Sequence, residues 1–248
     1  MLRVGAARLQ AMASGHEFVT ERLGRMAYAT ALALQRERHE ALVAGRAEGV
    51  PHRILLVEHP PVVTVTRRPD AASHVLADDA RLAAAGVERC ETDRGGDVTY
   101  HGPGQAVAYP IVDLQRLGIG IHAYIRALEE AAIRTCAAWG VACVREPGAT
   151  GVWTEARAGR ASRKVAAIGV RVSRSATMHG IALNVSPDLS HFALIVPCGL
   201  HGREVTALAS EAGERCPSTD EAAGRLALEI ERALREAAES AGRRVTPP

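Results

Sequence analysis

The sequence predicts an α/β protein of the α+β type: a mixed, largely antiparallel β-sheet core flanked by helices. Two observations carry this expectation. Strand-like runs follow one another without intervening helices in 88–114 and again in 141–197, which disfavours a parallel βαβ wheel. The long amphipathic helical patterns sit near the start, the middle and the end of the chain.

Taken in order, residues 16–45 read as a long helix, with Leu23, Met26, Ala27, Ala31 and Leu34 at helical spacing and Gly49, Val50 and Pro51 closing it. "RILLVEH" and "VVTVT" read as strands around Pro60-Pro61, because β-branched residues suit a pleated surface. "LADDARLAAAG" is a short helix ended by Gly86. "VERCET", "DVTYH" and "QAVAYPIVDL" follow as strands, and then a helix over 121–139 with Ile125, Leu128, Ala132 and Cys136 on one face. "VACV", "TGVWT", "KVAAIGVRVS", "HGIALNVS" and "ALIVP" are further strands, and the turn-rich "EARAGRASR" is a surface loop between two of them. A helix is expected over about 203–212. The last helix begins at "STDEAA", where Ser218 and Glu221 form a capping-box pattern, and runs through Leu226, Ile230 and Leu234.

The chain of 248 residues is 47% hydrophobic, enough for a sizeable core in one domain or two small ones. Its net charge of +2 is spread over interspersed residues, so no strong field points to nucleic acid or a membrane. Aromatic residues make up only 3%, so the core is aliphatic. No run approaches the roughly 18–20 apolar residues of a membrane span. The stretch "MLRVGAARLQAMASG" lacks the apolar region of a signal peptide, so the cytoplasm is the expected address.

The cysteines at 90, 136, 143, 198 and 216 form no C-x-x-C pair, so neither a zinc site nor a thioredoxin-type motif is expected. Cys136 and Cys143 fall on apolar faces and read as core. Cys90 lies in a polar strand, and Cys216 precedes a proline where exposure without function is expected. Cys198 ends an apolar run between Pro197 and Gly199. Two readings stand for it: a strand-terminal core thiol, or a nucleophile presented at an edge.

A nucleophilic thiol needs a neighbouring cation or base, because its free pKa is ~8.5 and the thiolate attacks. Lys164, His101, His179, His191 and His201 are candidates. Lys164 is the only lysine in a chain whose other fixed cations are all arginine. Either it is a surface lysine kept by chance, or it performs a proton transfer that arginine cannot. A thiolate and an ammonium ~4 Å apart attract by ~4 kcal/mol at an effective dielectric of ~20, about three pKa units before desolvation erodes it.

"RGGDVTYHGPGQ", 94–105, holds four glycines but matches neither nucleotide-binding fingerprint. It reads as tight turns flanking a strand or as a wall where backbone amides and His101 meet a substrate. His-Gly pairs recur at His179-Gly180 and His201-Gly202, each near an apolar strand, which suggests a shared pocket.

"EHPPVVTVTRRPD", "RGGDVTYHGPGQAVAYPIVDL", "KVAAIGVRVSRSATMHGIALNV" and "FALIVPCGL", in this order over roughly residues 50–210, resemble the lipoate-pathway octanoyltransferases, octanoyl-[acyl-carrier-protein]:protein N-octanoyltransferase. The resemblance implies the fold shared with biotin and lipoate protein ligases and a single catalytic domain over 1–248. It implies a catalytic pair, Cys198 in "PCG" and Lys164 in "KVAAIG", with an octanoyl thioester on Cys198. The family's substrate-contacting stretches correspond here to Arg94, Gly95, Gly96, Asp97, Val98, Thr99, Tyr100 and His101, to Ala167, Ile168 and Gly169, and to Gly180, Ile181 and Ala182. The implied partners are acyl carrier protein, lipoyl domains of 2-oxoacid dehydrogenase E2 subunits and the glycine-cleavage H protein. No cofactor or metal is implied, since octanoyl-phosphopantetheine arrives on its carrier as substrate. Ala106, Ala108 and Thr66 depart from the family pattern and are expected to bear on pocket shape or acyl length.

Two other classes remain open at this point. An ATP-dependent lipoate- or biotin-type protein ligase would share the fold but need no cysteine. A non-enzymatic module would bind lipoyl domains or acyl carriers without forming an adduct.

Overall fold

The computed structural model describes residues 16–157, 159–197 and 202–245. Ten strands form two sheets. The larger has seven strands in the order β1-β2-β6-β10-β9-β8-β7, and the smaller has three in the order β4-β3-β5. The strands are β1 (Phe18–Arg25), β2 (His52–Glu58), β3 (Val62–Thr66), β4 (Glu88–Thr92), β5 (Thr99–His101), β6 (Gln105–Ile111), β7 (Cys143–Glu146), β8 (Ala149–Thr154), β9 (Lys164–Ser173) and β10 (Ala176–Asn184). Only β1–β2 and β3–β4 pair in parallel, so the mixed, largely antiparallel core is as expected. The helices are α1 (Tyr28–Ala44), α2 (Asp79–Ala84), α3 (Leu114–Leu117), α4 (Ile121–Ala137), α5 (Leu208–Ala212) and α6 (Thr219–Val245).

Strand alternation divides the core. Ile54, Leu56, Ala106, Ala108, Ile181 and Leu183 face α4 and α6, burying Leu128, Leu226, Ile230 and Leu234. Leu55, Val57, Val107, Tyr109 and Ala182 face the other way, towards Tyr28, Ala31 and Leu32 of α1. Val63, Val65, Val98 and Tyr100 form a third cluster beneath the small sheet.

Four local expectations are corrected. Residues 18–25 are the strand β1 rather than the start of a helix, which begins at Tyr28. Phe18, Val19 and Thr20 favour a pleated backbone, and Gly24, at φ +64, sits where a helix would not hold it. Of "ALIVP", expected as a strand, Ala193 and Leu194 close a 3₁₀ turn over Leu189–Leu194, capped by Asp188 on the Ser190 N–H at 2.9 Å. That local side-chain bond outcompetes the ladder, and Ile195 alone keeps a bridge, to Val75. The helix expected over 203–212 starts only at Leu208, because the preceding backbone pairs with Lys164: Lys164 N–H donates to Glu204 O at 2.9 Å and Thr206 N–H to Lys164 O at 2.8 Å. Leu114, expected to end a strand, instead opens α3, nucleated by Asp113 accepting the Gln115 and Arg116 N–H groups.

Other details follow expectation. Ser218 Oγ accepts the Glu221 N–H at 3.3 Å while Glu221 Oε2 accepts the Ser218 N–H at 2.9 Å, a reciprocal capping box. Cys136 and Cys143 are buried. Cys216 is half-buried against the core rather than exposed. Among the described residues, no helix is long and apolar enough to cross a membrane.

Candidate active site

Between the α1 side of the large sheet and the small sheet lies a narrow cleft with about 30 Å³ of free space. The three sequence stretches converge on it. Arg94, Thr99 and His101 come from the small sheet and its leading loop, Ala167, Ile168 and Gly169 from β9, and Gly180, Ile181 and Ala182 from β10. Tyr28, Val107, Tyr109 and His179 complete the lining.

The remaining residues of the glycine-rich stretch hold the wall from behind. Gly95 N–H donates to Val170 O at 2.8 Å, tying the loop to β9, and a Cβ on Gly169 would stand 2.9 Å from Arg94 Cδ. Thr66 Oγ1 donates to Gly96 O at 3.2 Å. Asp97 accepts from His74 Nδ1 at 2.9 Å and from the Val98 N–H at 2.7 Å. Val98 and Tyr100 turn away from the cleft into the small-sheet core, as period-two alternation with Thr99 and His101 requires. Ala106 and Ala108 face the α4/α6 side and do not line the cleft.

The histidines and tyrosines of the lining are held neutral. Burial pushes His179 down to about 4, although Asp93 Oδ1 accepts from its Nε2 at 2.8 Å. His179 adopts φ +58, a strained backbone for a non-glycine residue. Its N–H is held by Gln35 Oε1 at 2.7 Å. Burial pushes the Asp93 carboxyl up, but the His179 hydrogen bond and the charges of Arg171 and Arg36 outweigh it and leave Asp93 below its ordinary value. Burial also drives His101 well below its usual value and Tyr109 well above. Tyr109 donates to His59 Nε2 at 2.8 Å, since His59 Nδ1 is committed to Met26 O at 2.8 Å. Among the described lining residues, Arg94 alone carries a fixed charge, with its guanidinium on Thr64 Oγ1 at 3.0 Å and Gly95 O at 3.1 Å. Aliphatic carbon and neutral rings bonded to groups behind them make up most of the lining, which suits an apolar chain.

Lys164 opens β9 and is buried, 6% exposed. The β8–β9 register shifts by one residue, from Val152 opposite Ala166 to Trp153 opposite Lys164. Val165 and Ala166 therefore both pack towards α4 and α6. The bulge turns Lys164 to the opposite face, the side of Ala167 and the cleft. Its ammonium lies 5.3 Å from the Trp153 ring centroid. Of the two readings left open for Lys164, the surface lysine is excluded: the side chain is enclosed. Cys198 and His201 lie outside the described residues. His101 and His179, the other two histidines of the His-Gly pairs, share the cleft.

Tyr28, Val107, Tyr109 and the supporting His59 were not foreseen. Val107 and Tyr109 could have been found from the alternation in "QAVAYPI" once Ala106 and Ala108 were assigned to the helix side.

A family model of the lipoyl protein ligase A/B catalytic domain matches residues 27–231. An octanoyltransferase of Acidobacterium capsulatum is 51% identical over 196 residues, covering 76% of this chain and 78% of that protein. One from Chloroflexus aurantiacus is 50% identical over 212 residues, covering 84% and 90%. In fold, the chain is similar to a bipartite lipoate protein ligase of Thermoplasma acidophilum at TM-score 0.65, with 15% identity over 93% of this chain and 92% of that one. The expected likeness to lipoate ligases thus holds at the level of the fold, while half-identity to octanoyltransferases fixes the branch: the chain belongs to the octanoyltransferases of the lipoyl protein ligase A/B family.

Proposed function

We propose that this octanoyltransferase takes its octanoyl group from the phosphopantetheine thiol of acyl carrier protein, holds it on Cys198, and delivers it to the target lysine of a lipoyl domain. The acceptors are lipoyl domains of 2-oxoacid dehydrogenase E2 subunits and the glycine-cleavage H protein. The observation that carries this reading is the convergence of Arg94, Thr99 and His101 with 167–169 and 180–182 on one cleft, with a buried lysine, Lys164, at the start of the strand that carries 167–169. Each methylene buried there contributes ~0.8 kcal/mol, so an eight-carbon chain suffices to hold the donor without an ionic anchor.

In the first step the Cys198 thiolate attacks the thioester carbonyl. A C–S bond forms to Cys198, the C–S bond to pantetheine breaks, and the departing sulfur takes up a proton. In the second step the lysine amine attacks the acyl-cysteine, an amide C–N bond forms, the C–S bond to Cys198 breaks, and the proton lost by nitrogen returns to the Cys198 sulfur. Lys164 stabilises the thiolate and manages these protons. Its place on the cleft side of β9, and the backbone bonds that tie Glu204 and Thr206 to it, support that role. Thioester exchange is nearly balanced in free energy, so no nucleotide or other cofactor takes part. The enzyme acts as a single catalytic domain in the cytoplasm, where thiols stay reduced.

Octanoyl-loaded carrier incubated with the protein without ATP tests this by mass spectrometry. The expected result is an adduct of about 126 Da, octanoyl for hydrogen, mapping to Cys198. It is absent from Cys198→Ser, and it is chased by a lipoyl domain. Transfer without an adduct, or strict ATP dependence, would overturn the reading in favour of a ligase mechanism.

A further inference from the structure

We infer that Trp153 and Gly151 are positioning residues for Lys164, forming the surface that fixes its ammonium. This rests on the catalytic reading of Lys164, but its geometry stands by itself. The one-residue bulge puts Trp153 directly opposite Lys164 across the β8–β9 ladder, on the cleft-side face. Directly opposed side chains are the pairs that interact across a sheet.

The Trp153 ring is fully buried and fixed on more than one side. Its indole N–H donates to Ala149 O at 3.0 Å. The Arg203 guanidinium lies 4.3 Å from its centroid and is itself held by Glu146 at 2.9 Å and Ser162 at 3.1 Å. An aromatic face attracts a cation within about 6 Å of its centroid, and the Lys164 ammonium lies within that reach at 5.3 Å. Gly151 supplies the space. At φ +126, a Cβ there would stand 2.6 Å from Lys164 Cε and 3.3 Å from its Nζ. A lysine side chain has four flexible torsions, and burying it in one arrangement loses that freedom. The fixed ring on one side and the missing Cβ on the other define where its ammonium rests.

The test uses the fact that Lys164 is the only lysine in the chain. Protein grown with ¹³C-lysine shows one lysine spin system by NMR. In the wild type its Hδ and Hε signals should be displaced by the ring current of Trp153. Trp153→Leu should return them to ordinary positions and lower kcat about ten- to a hundredfold, with KM for the lipoyl domain unchanged. Trp153→Phe, which keeps an aromatic face, should retain part of the displacement and of the rate. Gly151→Ala should move the same signals.

Undisplaced signals in wild type would overturn the inference, as would a Trp153→Leu enzyme with relocated signals and normal kcat beside an inactive Lys164→Ala. Should Lys164→Ala itself keep the wild-type rate, the catalytic reading of Lys164 fails, while the displaced signals still report whether Trp153 holds it.

Discussion

His101 Nδ1 stands 3.0 Å from Gln105 Oε1, and this contact sets the tautomer of a ring that lines the cleft. Gln105 Nε2 donates to Tyr100 O at 3.2 Å and to Asn184 Oδ1 at 2.9 Å, and Asn184 Nδ2 donates to Thr206 O at 2.9 Å. The amide oxygen of Gln105 is left as acceptor, so Nδ1 of His101 carries the hydrogen and Nε2 the lone pair. Gln105→Leu strands buried polar groups on both sides and should cost about 1–3 kcal/mol per orphaned group in denaturant unfolding. Octanoyl transfer should fall with it, because a freed His101 can take either tautomer. A variant of unchanged stability would refute the chain of bonds.

Buried histidines make the protein acid-sensitive. Burial lowers His52 to about 3, and His59 and His179 to about 4. In the unfolded chain they titrate near 6.5. The unfolded state therefore binds more protons below ~6.5, and stability falls as the pH drops from there through about 4. Their contribution is complete above ~6.5. Each histidine removes at most ~1.4 kcal/mol per pH unit, with Asp93 acting in the same direction through its own lowered value. Urea unfolding at pH 7.5 and 5.5 should show the lower stability at 5.5, and His52→Gln should flatten the slope. Equal stabilities would contradict the buried, neutral state.

The sequence was most legible where one physical signal acted alone. Strand alternation and the Ser218–Glu221 cap stand where expected, because local pattern and tertiary packing ask for the same residues there. It was least legible where two signals competed. Leu23 and Met26 kept a helical spacing by coincidence, and pairing of β1 with β2 decided the segment instead. Lys164 stayed between a surface and a functional reading, because the bulge at its position is a property of the β8–β9 pairing and not of either strand. Tyr28 reaches the cleft from a helix start distant in sequence, a convergence that no local pattern encodes.

β6 leaves no room for a side chain at Gly180 of β10. A Cβ there would stand 2.3 Å from Ala108 O and 2.6 Å from Pro110 Cδ, and backbone cannot yield as a flexible side chain can. Pro110 already lacks a ladder donor, and Thr177 Oγ1 donates to its carbonyl at 2.7 Å. Gly180→Ala should push the strands apart at the floor of the cleft, costing about 1–3 kcal/mol. It should weaken transfer of octanoyl more than that of a shorter acyl group. Wild-type stability with an unchanged acyl-length profile would show that the close approach is not needed.

Lys164→Arg separates charge from proton handling. Arginine keeps a cation beside Trp153 and could still attract a thiolate, but it cannot release a proton in a protein. If Lys164 supplied only positive charge, the variant would retain most of its activity. If it also accepts and returns protons as the lysine amine attacks the acyl-enzyme, the second step should slow by about 10²-fold or more. The first step, read as a burst of octanoylated enzyme, should suffer less, since the thiolate's counter-charge survives. The fuller arginine head also has to fit beside Gly151, whose absent Cβ leaves room measured for a lysine. Stability of the variant is therefore measured alongside, and a folded Lys164→Arg enzyme with a normal burst and a stalled transfer is the expected outcome. A folded variant that completes transfer at the wild-type rate would remove proton handling from the mechanism.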